Sequence, residues 1–271
     1  MIIIGEKING FIPSTKRAIE AHDDEAIRAL ARGQQQYKAD YLDVCAGTDP
    51  EVERETMEWL IGLAQEASDL PLCIDSSDPQ LIVDLLPLAK RPGMINSVSM
   101  EEGKVETIFP AVADTDWKII ALTCDNDGIP DDAEKKLAIA RRIVEAADAH
   151  GIARDRLFID PLVTTMATKP ESLVNFSAGI KAIHEEFPEV HFTSGLSNIS
   201  YGMPYRKTIN MQFLCLAMAA GMDSAIMNPM SEDMQAVLYA TNALLGNDLF
   251  CMGYLNAYRE GLFPVKPDPE D

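Results

Sequence analysis

Short apolar runs recur along the chain, and each is followed by a longer stretch with helical periodicity. The runs are nearly continuous in Ile, Leu and Val, which is typical of strands covered on both faces in a parallel sheet. Their starts lie 21 to 39 residues apart, the length of one βα unit. The runs are IIIGEKIN from Ile2, YLDVCAG from Tyr41, LCIDSS from Leu72, GMINSVS from Gly93, KIIALTC from Lys118, LFIDPLV from Leu157, HFTSGLS from His191 and SAIMNP from Ser224. This pattern predicts eight strand–helix units.

The stretches between the runs carry signals for helix boundaries. Asp78 stands directly before a proline, as an N-cap residue does. Ser99 with Glu102, and Asp131 with Glu134, have the spacing of a capping box. An apolar stripe follows the second box: Leu137, Ala140, Ile143, Val144 and Ala147. These signals predict helices in the gaps between the strands.

Eight such units in 271 residues predict one α/β domain, a single (β/α)₈ TIM barrel. We assign the barrel to residues 1–262 and a frayed tail to residues 263–271. An open doubly wound sheet is the alternative. It lacks support because no GxGxxG motif follows the first strand.

Composition narrows the function classes. Lys and Arg total 23 against 43 Asp and Glu, so the net charge is −20. A chain this acidic is poorly suited to nucleic acids and anionic membranes. Five scattered cysteines without a CxxC pair argue against a disulfide framework and a structural zinc site. The start, MIIIGEKING, has no signal-peptide pattern, and no apolar segment is long enough to span a membrane, so we expect a cytoplasmic protein.

The candidate chemistry lies at the carboxyl ends of the predicted strands, where barrel enzymes build their active sites. Carboxylates and carboxamides dominate there, and Lys7 is the only cation within these ends. The polar residues are Glu6, Asn9, Asp43, Asp75, Asn96, Asp160, Ser194, Ser197, Asn198 and Asn228. Such acceptors and amides suit a neutral heterocycle rich in N–H donors, held edge-on. They do not suit a phosphorylated sugar, which needs a cation and a glycine-rich loop.

Metal binding and nucleophilic hydrolysis are the two other chemistries that such strand ends can support. A divalent metal bound by the carboxylates is the main rival, since Asp and Glu are hard oxygen ligands. No histidine accompanies them, however, because all four lie in or beside helices or at the start of a strand, and we expect no metal. Nucleophilic hydrolysis is disfavoured because there is no GxSxG motif and no His at a strand end.

Six of these motifs together resemble the pterin-binding methyltransferases, specifically the corrinoid-linked methyltetrahydrofolate methyltransferases. The motifs are IIIGEKIN, LDVCAG, LCIDSS, MINSVS, LFIDPL and SGLSNIS. The similarity runs from Met1 to about Tyr258. Each motif is weak alone, but their joint order on six strands is specific.

The resemblance implies roles for individual residues. The pterin lies across the barrel mouth with its 2-amino and N3–H donors facing Asp160, and Asp75 and Asn96 complete the cradle. Asn198 reaches N5, the atom that carries the methyl group, and is the candidate catalytic residue. Arg206 lies near the folate tail. A supporting shell is expected from Glu6, Asn9, Asp43 and Ser197.

The implied reaction moves a methyl group between a corrinoid and N5 of tetrahydrofolate or 5-methyltetrahydrofolate. A separate corrinoid protein is expected as partner, because no DxHxxG motif is present. No metal is expected, and the resemblance also implies a homodimer.

Two positions depart from the family pattern. Cys45 stands where relatives often have Asn, and Tyr201 stands where some relatives have an amide. Two alternatives are a dihydropteroate synthase-like enzyme and a non-catalytic folate-binding protein. The synthase is disfavoured because strand seven lacks its Lys-containing signature and strand eight, AIMNPM, lacks its Arg and His.

Overall fold

The computed structural model describes residues 1–264, in which eight strands alternate with helices. The strands are β1 Ile2–Asn9, β2 Tyr41–Cys45, β3 Leu72–Asp75, β4 Met94–Met100, β5 Lys118–Asp125, β6 Leu157–Asp160, β7 His191–Phe192 and β8 Ser224–Met227. The helices are α1 Pro13–Glu20, α2 Asp24–Gln36, α3 Pro50–Ala67, α4 Pro79–Leu85, α5 Lys104–Val112, α6 Ala133–Ala149, α7 Ser172–Glu186, α8 Arg206–Ala220, α9 Glu232–Leu244 and α10 Met252–Arg259. All eight predicted strands are present at their expected positions.

The strands form one sheet in the order β7-β6-β5-β4-β3-β2-β1-β8, and each neighbouring pair is parallel. The sheet closes beyond the short strand β7, where Gly195 bridges to Ile226. The prediction of a single (β/α)₈ barrel is therefore confirmed. Parallel strands joined by helices place all eight carboxyl ends at one mouth of the barrel.

Apolar side chains fill two regions, one between the strands and the surrounding helices and one inside the barrel. The inner layer consists of Ile4, Cys73, Met94, Ile120 and Phe158. Successive side chains of a strand point to opposite faces, so a residue two positions after an inner-layer residue also points inward. This alternation decides which side chains line the mouth above the inner layer.

The helix caps match the prediction only in part. Asp78 caps α4 by accepting N–H bonds from Gln80 and Leu81 at 2.9 and 3.3 Å. The predicted Ser99–Glu102 box is wrong, because β4 continues through Ser99 and α5 begins after Gly103.

The predicted box at Asp131 and Glu134 is also displaced. Asp132 caps α6 by accepting the Lys135 N–H at 2.8 Å, while Asp131 pairs with Lys169. Capping geometry depends on backbone angles that spacing alone does not specify, so a neighbouring Asp can take the role.

The last described residues pack onto the barrel's outer side. Leu262 and Phe263 are buried with Ala257, and the Phe263 ring lies 5.0 Å from that of Tyr254. The predicted tail begins at Phe263, and its residues from 265 on lie outside the described residues. Between residues 1 and 264, no helix has both the length and the apolar character needed to cross a membrane.

Candidate active site

A polar layer covers the apolar inner layer at the carboxyl mouth of the barrel. Each of its members follows an inner-layer residue by two positions along the same strand, as the alternation of β-strands requires. The four clearest members are Glu6 after Ile4, Asp75 after Cys73, Asn96 after Met94, and Asp160 after Phe158. The sequence-predicted candidates on different strands are thus brought to one end of the barrel.

Two carboxylates and two thiols alternate across strands β2 and β3. The register pairs Asp43 with Cys73 and Cys45 with Asp75. Burial raises the pKa of Asp43 well above its usual range, and the charge on Asp75 raises it further. Burial also raises the pKa of both thiols, which therefore stay protonated. Cys45 is hydrogen-bonded to Asp75, so its S–H supplies a donor that an Asn would otherwise provide.

Asn96 extends this group onto β4. It is in register with Asp75, and its Nδ2 donates to Asp43 Oδ1 at 3.3 Å. Asp43 is 1% exposed, so it is enclosed by its neighbours. Asp43 therefore orients Asn96 from behind, while the half-buried Asn96 and Asp75 lie closer to the opening.

Asp160 ends β6 as a buried carboxyl group. Its Oδ1 accepts the Leu162 N–H at 2.8 Å, and the Gly195 N–H also bonds to it. Burial raises the pKa of Asp160 to about 7, while these N–H donors and the Lys136 ammonium oppose that rise. An incoming ligand with N–H donors would replace the missing hydration and favour the charged form.

Lys136 is a buried cation behind Asp160. It lies on α6 with 2% exposure, and its Nζ donates to the Leu162 carbonyl at 3.2 Å. A Cβ at Gly179 would come within 3.2 Å of Lys136 Cδ, so the glycine on α7 leaves room for the lysine stem. Lys136 thus braces the turn whose N–H holds Asp160.

The segment after β7 forms a 3₁₀ turn, Leu196–Ser200, that carries Asn198 to the surface. A Cβ at Gly195 would lie 3.1 Å from Asn198 Nδ2, so the amide folds back over this glycine. Arg206, at the start of α8, donates to the Ser197 carbonyl at 2.7 Å and to Ser200 Oγ at 3.0 Å. Arg206 is therefore a brace for the turn as well as an exposed cation.

Glu6 and Asn9 have different positions although both belong to β1. Glu6 lines a cavity of about 320 Å³ with Ser197, Arg206 and Asn228, and its carboxyl group is hydrogen-bonded to the Ser197 side chain. Asn9 instead accepts the Phe11 N–H through Oδ1 at 2.9 Å. Asn9 thus fixes the start of the loop after β1, and it is in register with Cys45.

Two supporting residues were missed by the sequence analysis, Lys136 and Gln34. Both occupy apolar stripes of their helices: Lys136 lies at helical spacing with Ala140 and Ile143, and Gln34 with Ile27 and Ala31. A polar residue on an otherwise buried helix stripe is the signal that could have identified them.

The arrangement offers acceptors and amides to a planar ligand and has few groups for other chemistry. Among residues 1–264, no three or more His, Cys, Asp or Glu side chains are placed to hold a metal ion. Asp160, Asp75 and Asn96 can bind the N–H edge of a heterocycle, and the exposed Asn198 amide can reach a further nitrogen.

Comparisons with known proteins agree with this site. The model of the pterin binding enzyme family matches residues 14–228. A methylcorrinoid:tetrahydrofolate methyltransferase of Eubacterium limosum is 49% identical over 263 residues, which cover 96% of this chain and 97% of that protein. Methionine synthase of Mycobacterium tuberculosis is 29% identical over 245 residues, covering 84% of this chain and 20% of that protein.

Solved structures show the same fold at lower identity. Dihydropteroate synthase from Xanthomonas albilineans, in complex with 7,8-dihydropteroate, superposes with a TM-score of 0.64 and 21% identity. The match covers 90% of this chain and 92% of that one. A likeness at this identity supports the barrel architecture and leaves the reaction to the site itself.

Proposed function

The chain belongs to the pterin-binding enzyme family, and from this premise we propose that it is a methyltransferase that moves a methyl group between a corrinoid and N5 of tetrahydrofolate. The observation that carries the proposal is the 49% identity to the Eubacterium limosum methyltransferase over nearly the full length of both chains. The polar layer is consistent with it, because its acceptors suit the N–H edge of a pterin.

The pterin is bound by Asp160, Asp75 and Asn96. The Asp160 carboxylate accepts the 2-amino and N3–H donors of the ring as a bidentate, charge-assisted pair. Because Asp160 is held by backbone N–H groups and Lys136, its position is fixed before substrate arrives. Asp75 and Asn96 are adjacent in register and complete the cradle around the ring.

Asn198 acts at N5. Its exposed amide forms a hydrogen bond at N5 in the transition state, and by microscopic reversibility the same contact assists methyl transfer in both directions. Arg206 binds the folate tail while it braces the turn through Ser197 and Ser200. Glu6, Asn9, Asp43 and Ser197 lie around the residues that contact the substrate.

The corrinoid is a substrate carried by a separate protein that docks at the barrel mouth. The net charge of −20 favours a partner with a basic docking surface. A homodimer is the expected oligomeric state, and sedimentation or light scattering measures it directly. We infer a cytoplasmic location from the intracellular chemistry of both substrates.

The test is an assay of the purified protein with methylcobalamin and tetrahydrofolate under anaerobic conditions. The expected result is stoichiometric loss of methylcobalamin and formation of 5-methyltetrahydrofolate. Consumption of a pterin pyrophosphate with 4-aminobenzoate would instead identify a dihydropteroate synthase. Tetrahydrofolate binding without turnover, even with corrinoid protein supplied, would identify a non-catalytic folate-binding protein.

A further inference from the structure

Transfer of a methyl group to tetrahydrofolate releases a proton, and none of the residues assigned above accepts it. N5 carries a hydrogen before the reaction, and the nitrogen becomes cationic when its lone pair bonds to the methyl carbon. A base at the mouth can assist the transfer by accepting that proton. None of the four histidines lies there, since His191 begins β7 and the other three lie in or beside helices, so the acceptor is sought among the carboxylates.

Three of the four mouth carboxylates are already engaged. Asp160 accepts two backbone N–H bonds, Asp43 is bonded to Asn96 and Cys73, and Asp75 is bonded to Cys45. Asp160 and Asp75 are also assigned to the pterin edge. Glu6 is bonded to the hydroxyl of Ser197, the residue before Asn198, but unlike Asp160 and Asp75 it has no assigned place at the pterin edge.

Glu6 lies within a β-bulge of β1. Gly5 is in register with Leu42 and Ile8 with Val44, so β1 has one more residue than β2 across this interval. Within the bulge, the Lys7 N–H donates to Gln34 Oε1 at 2.9 Å. The Lys7 carbonyl accepts from Thr15 Oγ1, also at 2.9 Å. Helices α1 and α2 therefore clamp the residue that follows Glu6.

Gly5 makes this clamp possible. A Cβ at Gly5 would lie 2.4 Å from Gln34 Oε1, so any larger residue would displace the amide that satisfies Lys7. Bulges are common beside active sites, and this one includes a carboxylate that faces the cavity beside the turn of Asn198. Contacts of Gly5 and Lys7 thus fix the backbone on either side of Glu6.

The electrostatic surroundings of Glu6 suit a group that exchanges protons near neutral pH. The groups facing it are Lys7 on β1, Asp43 on β2, and Arg206 with Lys207 on α8. Burial raises the pKa of Glu6 to about 7, and the cations and Ser197 limit the rise. A base whose pKa lies near the operating pH is the most effective.

We propose that Glu6 is the catalytic base that accepts the N5 proton when tetrahydrofolate takes the methyl group, an inference that rests on the proposed function. The N5 lone pair forms the N–C bond, and the Co–C bond breaks with both electrons left on cobalt, which passes from Co(III) to Co(I). The N5 proton passes to the Glu6 carboxylate and from there to solvent through the cavity. In the reverse direction protonated Glu6 returns the proton to N5.

The test compares Glu6→Gln with the wild-type protein from about pH 6 to pH 9. In wild type, kcat/KM for methylcobalamin and tetrahydrofolate should rise through a pKa near that of Glu6. In the reverse direction it should fall through the same pKa. Glu6→Gln should lower single-turnover methyl transfer by roughly 100-fold or more and remove both pH limbs. Tetrahydrofolate affinity, by calorimetry, should change by no more than about threefold, because Gln keeps the shape of the side chain.

Two further variants keep the test independent of folding. Glu101→Gln is the matched control, since Glu101 also accepts a serine hydroxyl, from Ser99 at 2.7 Å, and pairs with Lys104, but it lies outside this cavity. Its rate and pH profile should equal those of wild type. Glu6→Ala should regain activity when formate is added, because the small carboxylate can enter the enlarged cavity.

Distinct results overturn the two proposals. If wild type transfers methyl groups and Glu6→Gln does so with the same rate and pH profile, the role of Glu6 is refuted and the function stands. If Glu6→Gln loses tetrahydrofolate affinity in proportion to its rate, Glu6 is a binding residue and not the base. Absence of transfer in wild type, with tetrahydrofolate bound, refutes the proposed function itself.

Discussion

At the scale of single residues, three carboxyl groups at the mouth differ in their surroundings. Asp43 is enclosed beside a second carboxylate, so burial and repulsion raise its pKa well above the usual range, and it accepts a hydrogen bond from Asn96. Asp160 has backbone N–H donors that can stabilise its charge when a pterin binds. Glu6 lies against a cavity with cations and a hydroxyl nearby. The surroundings of each carboxyl group therefore set its chemical role.

Asn198 offers the clearest separation between binding and chemistry. Asn198→Ala should lower kcat far more than it weakens tetrahydrofolate binding, because the amide acts on N5 chiefly in the transition state. The expected loss is about 2–4 kcal/mol of transition-state stabilisation, as for removal of one preorganised donor. Single-turnover methyl transfer at saturating folate measures it.

The control for this experiment is Asn126→Ala. Asn126 is an exposed loop amide that follows β5 at the same end of the barrel, and its loss should leave the rate unchanged. A wild-type single-turnover rate in Asn198→Ala, with raised KM and a lower melting temperature, would mean that Asn198 only closes the turn after β7.

At the scale of elements, two helices contribute one polar side chain each to support the mouth. Gln34 on α2 satisfies the Lys7 N–H in the β1 bulge, and Lys136 on α6 bonds the carbonyl of Leu162 after β6. Both side chains are fully buried, at 0% and 2% exposure. Each is matched by a glycine that leaves it room, Gly5 and Gly179 respectively. Outer helices therefore help to position inner residues.

The bulge can be tested with a pair of glycine substitutions. Gly5→Ala should destabilise the protein by about 1–3 kcal/mol, because its Cβ would collide with the Gln34 amide. Gly62→Ala should stabilise it by about 0.5–1 kcal/mol, since Gly62 is exposed within α3 and has nothing within 4 Å of the new methyl group. Urea denaturation measures both, and equal effects would contradict the packing argument.

The support from α6 predicts a folate affinity that depends on pH. Lys136→Met removes a cation that favours the charged form of Asp160, so tetrahydrofolate affinity near pH 7 should fall by about tenfold, one pKa unit. Near pH 9 the difference should shrink, because Asp160 is ionised there without help. Calorimetry at both pH values measures the change. Lys135→Met, at an exposed neighbouring position, is the control, and an equal loss in both variants would exclude a specific role for Lys136.

At the scale of the whole molecule, stability depends on pH through buried carboxyl groups and net charge. Burial raises the pKa of Glu6 and Asp160 to about 7, above their values in the unfolded chain. The native state therefore binds more protons than the unfolded state between these values, and each group lowers stability as pH rises through that window. The net charge of −20 acts in the same direction through self-repulsion.

The free energy of unfolding should accordingly decrease from pH 5 to pH 8 in the absence of folate. A fully titrating group contributes at most about 1.4 kcal/mol per pH unit. Asp160→Asn removes one such group, so its stability should decrease less steeply than that of wild type in urea titrations. Parallel curves for the two proteins would show that Asp160 does not titrate in this range.

The sequence alone predicted the strands, their parallel arrangement and the ends that carry the chemistry. Strand periodicity is a local property: Leu157 to Asp160 form an apolar run in any context that buries both faces. Eight such runs favour a barrel over an open sheet, and the barrel brings Asp75, Asn96 and Asp160 to one mouth. These residues could therefore be named before their positions were known.

Only the tertiary structure decided which groups support them. That Cys45 faces Asp75 follows from the register of β2 and β3, and register depends on pairing between distant segments. The contacts of Lys136 with Leu162, and of Gln34 with Lys7, join residues 26 and 27 positions apart. The chemistry of Glu6 likewise depends on a bulge and on burial by other elements. Local pattern specifies strands and helices, whereas desolvation and long-range contacts, which set pKa and orientation, exist only when the chain has folded.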